Sequence, residues 1–262
     1  MSAAPRGLSA AVVIPCLDEE ASIGLLVGDV RAVAADPALP VRIERIVVVD
    51  NGSTDRTADV AREAGAEVVP EPRKGYGRAC LTGVLAAGEV DLIVLMDGDR
   101  SDVPAELPLL LAPLLAGEAG LVLGSRTLGT VEAGALTPQQ IFGNRVATVL
   151  FRLVYRVRIT DIGPFRVIRR RDLLRLGMRE MTYGWSIEMI GRSVRAGLRL
   201  QEVPVSYRKR AGGVSKVGGN LRASLRIGGR ILGAILRARS DKAALPPDLQ
   251  VALDREREGT PA

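Results

Sequence analysis

The chain has 262 residues, 47% hydrophobic and 25% charged, which supports a buried core in one large domain or two small ones and excludes wholesale disorder. It has no His, which excludes Ser-His-Asp and Cys-His catalysis and imidazole zinc sites, and Cys16 and Cys80 are too few for a disulfide framework or metal knuckle. The net charge of +6 is split unevenly: residues 1–140 hold 11 basic and 20 acidic side chains (−9), residues 141–262 hold 25 and 10 (+15), so the second half suits an anionic partner.

From the N-terminus, strands are expected over residues 10–15, 43–49, 67–70, 91–96 and 120–124. The runs at 46–49 and 92–96 are continuously apolar, as in parallel strands covered on both faces. Helical patterns at 21–35, 54–64, 77–87 and 104–116 lie between them. Ser53 or Thr54 is placed to cap the second helix, and Pro104 suits a first helical turn. This alternation predicts an open α/β sheet with right-handed crossovers, whose ligands bind beyond the carboxyl ends of the strands.

The second half is expected to hold a long helix over 137–158, a turn at 160–166 leading into a strand over 166–168, and a helix over 171–176. A helix over 186–196, a strand over 199–207, a flexible basic loop at 212–216 and a helix over 221–239 follow. Along the 137–158 helix, Ile141, Val146, Val149, Leu150, Leu153 and Val157 form one side, with Arg145, Arg152 and Arg156 among them; core packing is preferred there over an anionic membrane interface. Trp185 is read as a core anchor. No secretory leader or membrane span is expected: the apolar run at 9–17 is short and leads into Asp18, Glu19 and Glu20, and later runs are broken by Arg, short of the ~20 residues a span needs.

Acidic residues gather where the strands end, at Asp18-Glu19-Glu20, at Asp50 to Asp55 and at Asp97-Gly98-Asp99. Turn chemistry explains one such cluster more readily than three. Asp97 and Asp99, two residues apart after a buried strand, can share one hard divalent cation, with a nucleotide's phosphates completing its shell. Such an ion would neutralise charge on a departing diphosphate.

The segments VVIPCLDEEASI, IVVVDNGSTDRT, PRKGYGRA, LIVLMDGDRSDVP and VLGSR stand in the order and spacing of family 2 glycosyltransferases, which have the GT-A nucleotide-sugar-binding fold. DIGPFRVI, YGWSIEM and RKRAGGVSK resemble the polyprenyl (dolichyl) phosphate hexose synthase branch. The resemblance covers residues 10 to about 220. It implies a mostly parallel α/β sheet in one nucleotide-sugar-binding domain over 1–217, a basic amphipathic helix over 218–239 and a flexible tail over 240–262.

The same resemblance implies residue roles. Pro15, Glu19, Asp50, Lys74, Gly75, Asp97, Asp99 and Arg126 resemble donor-binding positions, with Asp97 and Asp99 the metal pair for Mg or Mn. Gly77 belongs to the same glycine-rich segment. Arg166, Arg210, Ser215 and Lys216 resemble positions that hold donor or acceptor phosphates, and Gly213 belongs to the loop that covers the site. Asp99, Arg210 and Lys216 are thus candidates for the catalytic set, with Glu188 or Asp161 as general base for a hydroxyl acceptor. In three places the chain departs from the family pattern: Asp18 replaces the usual Asn, Asn51 a frequent Asp, and Ser101 a Gln common in the lipid-phosphate branch.

The expected reaction is inverting transfer of a hexose from a UDP- or GDP-linked sugar to a polyprenyl phosphate. A phosphate is already anionic and needs no base, which suits a basic second half without His. The alternative is a soluble glycosyltransferase acting on a small-molecule or glycan hydroxyl. A nucleic-acid-binding protein is the reading from another class; three acidic turns and 3% aromatics oppose it. Expected localisation is cytoplasmic, peripheral on the inner face of the membrane. Within 221–239, Leu221, Leu225, Leu232, Ile235 and Leu236 alternate with Arg222, Arg226, Arg230, Arg237 and Arg239, a pattern equally suited to an anionic membrane interface and to packing on the domain with its arginines in water.

Overall fold

A computed structural model describes residues 7–212, 233–238 and 244–258. The strands are β1 (Ser9–Cys16), β2 (Arg42–Asp50), β3 (Glu67–Pro70), β4 (Leu92–Leu95), β5 (Leu121–Ser125), β6 (Arg166–Arg169) and β7 (Leu200–Pro204). They form one seven-stranded sheet in the order β3-β2-β1-β4-β6-β5-β7. β1 to β4 are mutually parallel, β6 runs antiparallel to both β4 and β5, and β7 is parallel to β5.

The helices are α1 (Ile23–Ala34), α2 (Thr57–Glu63), α3 (Tyr76–Ala86), α4 (Leu107–Leu115), α5 (Pro138–Tyr155), α6 (Arg170–Arg175), α7 (Trp185–Arg195) and α8 (Pro247–Glu258). Residues 233–237 are also helical. Every residue of β1 is buried, and its side chains alternate between two cores. Ala11 and Val13 pack with residues of α3, α7 and α8 on one face, while Ala10, Val12 and Ile14 pack with α1 and α4 on the other. Trp185 lies in the first core, and Cys16 and Cys80 are buried free thiols.

Local differences from the sequence expectations have physical causes. α2 begins at Thr57 rather than 54, because residues 54–56 are spent on hydrogen bonds to the β1 turn and the helix's first amide is taken by Asp55 Oδ1 (2.9 Å). α5 has the expected Thr137 start, a capping box closed with Gln140, and stops at Arg156 in a left-handed conformation (φ 57). Ala147 and Phe151 of α5 are fully buried and Leu150 and Val157 pack on the first core, but Ile141, Val149 and Leu153 face outward, so core packing holds for part of the expected side and not for these three.

The tail expected over 240–262 contains α8. Leu245, Leu249 and Leu253 recur every four residues and pack on the first core, and Asp248 pairs with Arg73 (2.9 Å). The loop residues Gly213, Ser215 and Lys216, and residues 218–232 and 239 of the segment where a basic amphipathic helix is expected, lie outside the described residues. Among the described residues no helix is long and apolar enough to cross a membrane.

Candidate active site

The carboxyl ends of β1, β2 and β4 lie side by side, so the three acidic turns meet at one edge of the sheet. The β1 and β2 turns are laced together. The Asp18 amide donates to Ser53 Oγ (3.0 Å), and the Thr54 amide donates to Asp18 Oδ1 (2.7 Å). The Glu19 amide donates to Thr57 Oγ1 (2.7 Å), and the Arg56 amide to Glu20 Oε2 (3.0 Å). Asp18 adopts a left-handed φ of 51, which a short polar side chain tolerates. Pro15 is buried in register with Val49, and Asp50 Oδ1 accepts the Ser53 amide (2.9 Å). Gly98 permits the close approach of the β1 and β4 turns: a Cβ there would lie 2.5 Å from Cys16 Sγ.

The segment after β3 is fixed from the β2 turn. Asn51 Nδ2 donates to the Glu71 and Arg73 carbonyls (2.8 and 2.9 Å), and its Oδ1 accepts the Gly75 amide (2.8 Å). Lys74 Nζ donates to the Gly52 carbonyl (2.7 Å). Gly75 and Gly77 are explained by packing: added Cβ atoms would lie 2.2 Å from Met181 O and 2.3 Å from Glu180 O.

Asp97 and Asp99 follow β4. Asp97 Oδ1 accepts from the Tyr76 hydroxyl (3.0 Å), and Asp99 Oδ1 accepts the Ser101 amide (2.9 Å). Burial, then the adjacent Asp99 charge, pushes the Asp97 carboxyl up to about 6. Buried Asp102 accepts the Asp97 amide (3.3 Å) and is driven well above the ordinary range by burial and by both neighbouring acids. Burial and the same three carboxylates raise the Tyr207 phenol. Tyr76, Asp102 and Tyr207 were not singled out in the sequence; Asp102, three residues past Asp99, was the one visible there.

Basic residues close the other side. Residues 205–212 cross the strand ends, held by Tyr207 N to Thr130 O (2.8 Å), Arg208 N to Ser101 O (2.8 Å) and Ala211 N to Asp99 O (3.2 Å). They deliver Arg210, whose Nη1 meets Asp99 Oδ2 (2.9 Å) and whose Nη2 meets Glu19 Oε1 (2.5 Å). Arg126 stacks over the Tyr207 ring (4.9 Å) and clamps Asp161 through Nε, Nη2 and its amide (2.7, 2.7 and 2.8 Å).

Three sequence assignments need correction in geometry. Asp161 is buried and committed to Arg126 and to the Ile162 amide (2.8 Å), so it is not poised as a base. Glu188 is buried, with Oε1 on Arg192 Nε (2.7 Å) and Oε2 on the amides of Arg179 and Glu180 (2.8 and 2.7 Å), so it shapes the 179–182 loop instead. Arg166 is enclosed, donating to the Gly163 and Ser186 carbonyls. Burial lowers its guanidinium, an effect opposed by nearby acidic groups including Tyr76 and Asp97.

The Asp97–Asp99 turn fits a hard dication. Its donors are oxygens, its like charges are crowded, and buried Ser101 Oγ next to Asp99 has no hydrogen-bond partner among the described residues. Among the described residues no three acidic or thiol groups converge on one metal position, so the protein offers two carboxylates and leaves other positions to solvent or ligand.

Comparison with known proteins agrees with this architecture. The family model Glycosyl transferase family 2 matches residues 11–177. An uncharacterized glycosyltransferase of Mycobacterium tuberculosis is 43% identical over 223 residues, covering 84% of this chain and 94% of its own. Polyprenol monophosphomannose synthase of Mycolicibacterium smegmatis is 32% identical over 231 residues, covering 82% and 83%. Glucosyl-3-phosphoglycerate synthase of Mycobacterium tuberculosis, solved with Mn2+, uridine-diphosphate and glucosyl-3-phosphoglycerate, shares the GT-A fold at a TM-score of 0.68 and 22% identity over 88% of this chain and 80% of that one. With its acidic turns on one edge of this sheet and a family model spanning more than half its length, the chain belongs to glycosyltransferase family 2 and is a glycosyltransferase.

Proposed function

We propose that the protein transfers a hexose, with inversion, from a UDP- or GDP-linked sugar to a polyprenyl phosphate, and that it does so at the inner face of the membrane. The observation that carries this reading is the state of the two candidate bases: Asp161 and Glu188 are both engaged by arginines and amides. A hydroxyl acceptor needs a base; a phosphate oxygen attacks as it stands. The similarity to a polyprenol monophosphomannose synthase supports the same acceptor class.

On this reading residues 1–217 form the catalytic domain and the basic segment 218–239 follows it. Pro15, Glu19, Asp50, Lys74 and Arg126 line the donor side, with Gly75 shaping that loop. A Mg or Mn ion held by Asp97 and Asp99 would supply counter-charge to the leaving diphosphate. A phosphate oxygen of the acceptor attacks the anomeric carbon, the bond from that carbon to the diphosphate oxygen breaks, and the nucleoside diphosphate leaves with the electron pair. Arg210 leaves Glu19 and Asp99 to meet phosphate oxygens, joined by Ser215 and Lys216.

The test is transfer of labelled sugar from UDP- and GDP-linked donors, with Mg or Mn, to a short-chain polyprenyl phosphate. Label in an organic-extractable product is expected. Label found solely on a water-soluble hydroxyl acceptor would overturn the lipid assignment.

A further inference from the structure

The outer face of α5 has no partner among the described residues, although four large apolar side chains stand on it. Phe142 is 66% and Leu153 71% exposed, and Ile141 and Val149 complete the stripe. Arg145, Arg152 and Arg156 are exposed on the same face, and none has a carboxylate partner among the described residues. Residues 138–155 contain no Asp or Glu at all. The helix is 18 residues long, about 27 Å at 1.5 Å per residue.

We infer that this face docks on an anionic lipid bilayer. The pattern is that of an interfacial helix: apolar side chains enter the headgroup–acyl boundary, while arginines at its margin meet lipid phosphates. A second copy of the chain suits it less. A two-fold interface would set the arginines of one α5 against those of the other, with no acid on the helix to relieve them. The surface continues past α5. The Tyr155 hydroxyl donates to the Ile235 carbonyl (2.9 Å), and the adjoining Leu236 is also exposed, as is Arg237, which pairs with Glu180 (2.8 Å).

The inner side of the same helix leads to the site. Asn144 Nδ2 donates to the Thr160 carbonyl (3.1 Å), and Asn144 Oδ1 accepts the Ile162 amide (3.0 Å). Between those residues lies Asp161, the partner of Arg126. The helix is therefore joined through residues 160–162 to Arg126 of the site. This docking rests on the membrane location proposed above and names the surface that provides it, with residues apart from those of the acceptor assignment.

The test uses the full chain and co-sedimentation with vesicles of phosphatidylcholine alone or with added phosphatidylglycerol. The wild type should bind the anionic vesicles alone, and release at high salt. A Phe142→Ser, Leu153→Ser variant should lose at least about tenfold in binding, and Arg145→Gln, Arg152→Gln should lose about fivefold per arginine. Both should keep their thermal midpoint, because the altered side chains face outward, and should keep transfer to a water-soluble short-chain acceptor without vesicles. That second readout separates failure of docking from failure of the acceptor assignment. Absence of wild-type binding, wild-type affinity in both variants, or a wild-type dimer that the apolar variant converts to monomer would each overturn the inference.

Discussion

Asn51 joins three backbone groups of opposite hydrogen-bond sign: two carbonyls that need donors and one amide that needs an acceptor. A carboxamide meets all three; a carboxylate keeps the acceptor and turns its charge on two carbonyls. Asn51→Asp should therefore cost about 2 kcal/mol in urea unfolding, although Asp is common there in the family the sequence resembles. Glu71 is the buried counterpart one strand away. Arg73 and Thr82 bond both its oxygens, and the Arg73 guanidinium foremost holds the carboxyl at about 2 against an ordinary 4.5. A lowered carboxyl stabilises the fold above its unfolded value, and that contribution fades as pH falls toward the folded one. Glu71→Gln should be about 2 kcal/mol less stable at pH 7. The gap between variant and wild type should narrow as urea midpoints are taken from pH 4.5 down toward 2; a constant gap would show that the charge is not what Arg73 and Thr82 hold.

At the scale of elements, helical glycines separate packing from propensity. At Gly77 in α3 an added Cβ would meet backbone, Glu180 O at 2.3 Å, where the Gly77 and Arg78 amides dock on the Thr182 and Met181 carbonyls. At Gly28 in α1 an added Cβ meets nothing within 4 Å. Gly77→Ala should cost about 2 kcal/mol, whereas Gly28→Ala should gain about 0.5 kcal/mol from helix propensity, opposite shifts in thermal midpoint. β1, β4 and the Val47–Val49 end of β2 were legible because parallel strands buried on both faces read as apolar runs between turn residues. α8 was not, because Leu249 and Leu253, with Leu245 just before the helix, sit in a polar segment interrupted by Pro246 and Pro247, and their burial depends on what the core offers them. The side of α5 was legible in part, its Leu150 and Val157 packing on the core and its Ile141, Val149 and Leu153 not, because helical periodicity marks an apolar face without saying what covers it. At the site, the acidic turns were legible from their place after strands, and Glu188–Arg192 had a signal in its four-residue helical spacing. The Arg126–Asp161 clamp, 35 residues apart, had none.

Across the whole molecule, the two halves of opposite charge interleave in one sheet: β6 lies antiparallel between β4 and β5, with Leu95 paired to Arg166, and β7 runs parallel to β5. The acidic turns and Arg126 come from the first half, and Arg166 and Arg210 from the second, so the site is a seam between them. Without a ligand the seam neutralises itself: Arg210 lies on Glu19 and Asp99, and Arg126 on Asp161. A nucleoside diphosphate entering alone would displace Arg210 and face Asp97, Asp99 and Asp102 at close range, a like-charge contact made costlier by burial. Paired with a dication, the same diphosphate brings the counter-charge that the acids lack, and it frees Arg210 for phosphate. Calorimetric titration of UDP should thus give an affinity at least about tenfold higher with Mn2+ than with chelator present, and Asp97→Asn, Asp99→Asn should abolish that difference. Equal affinity with and without metal would mean that arginines alone hold the diphosphate, leaving the acidic turns to shape the loops.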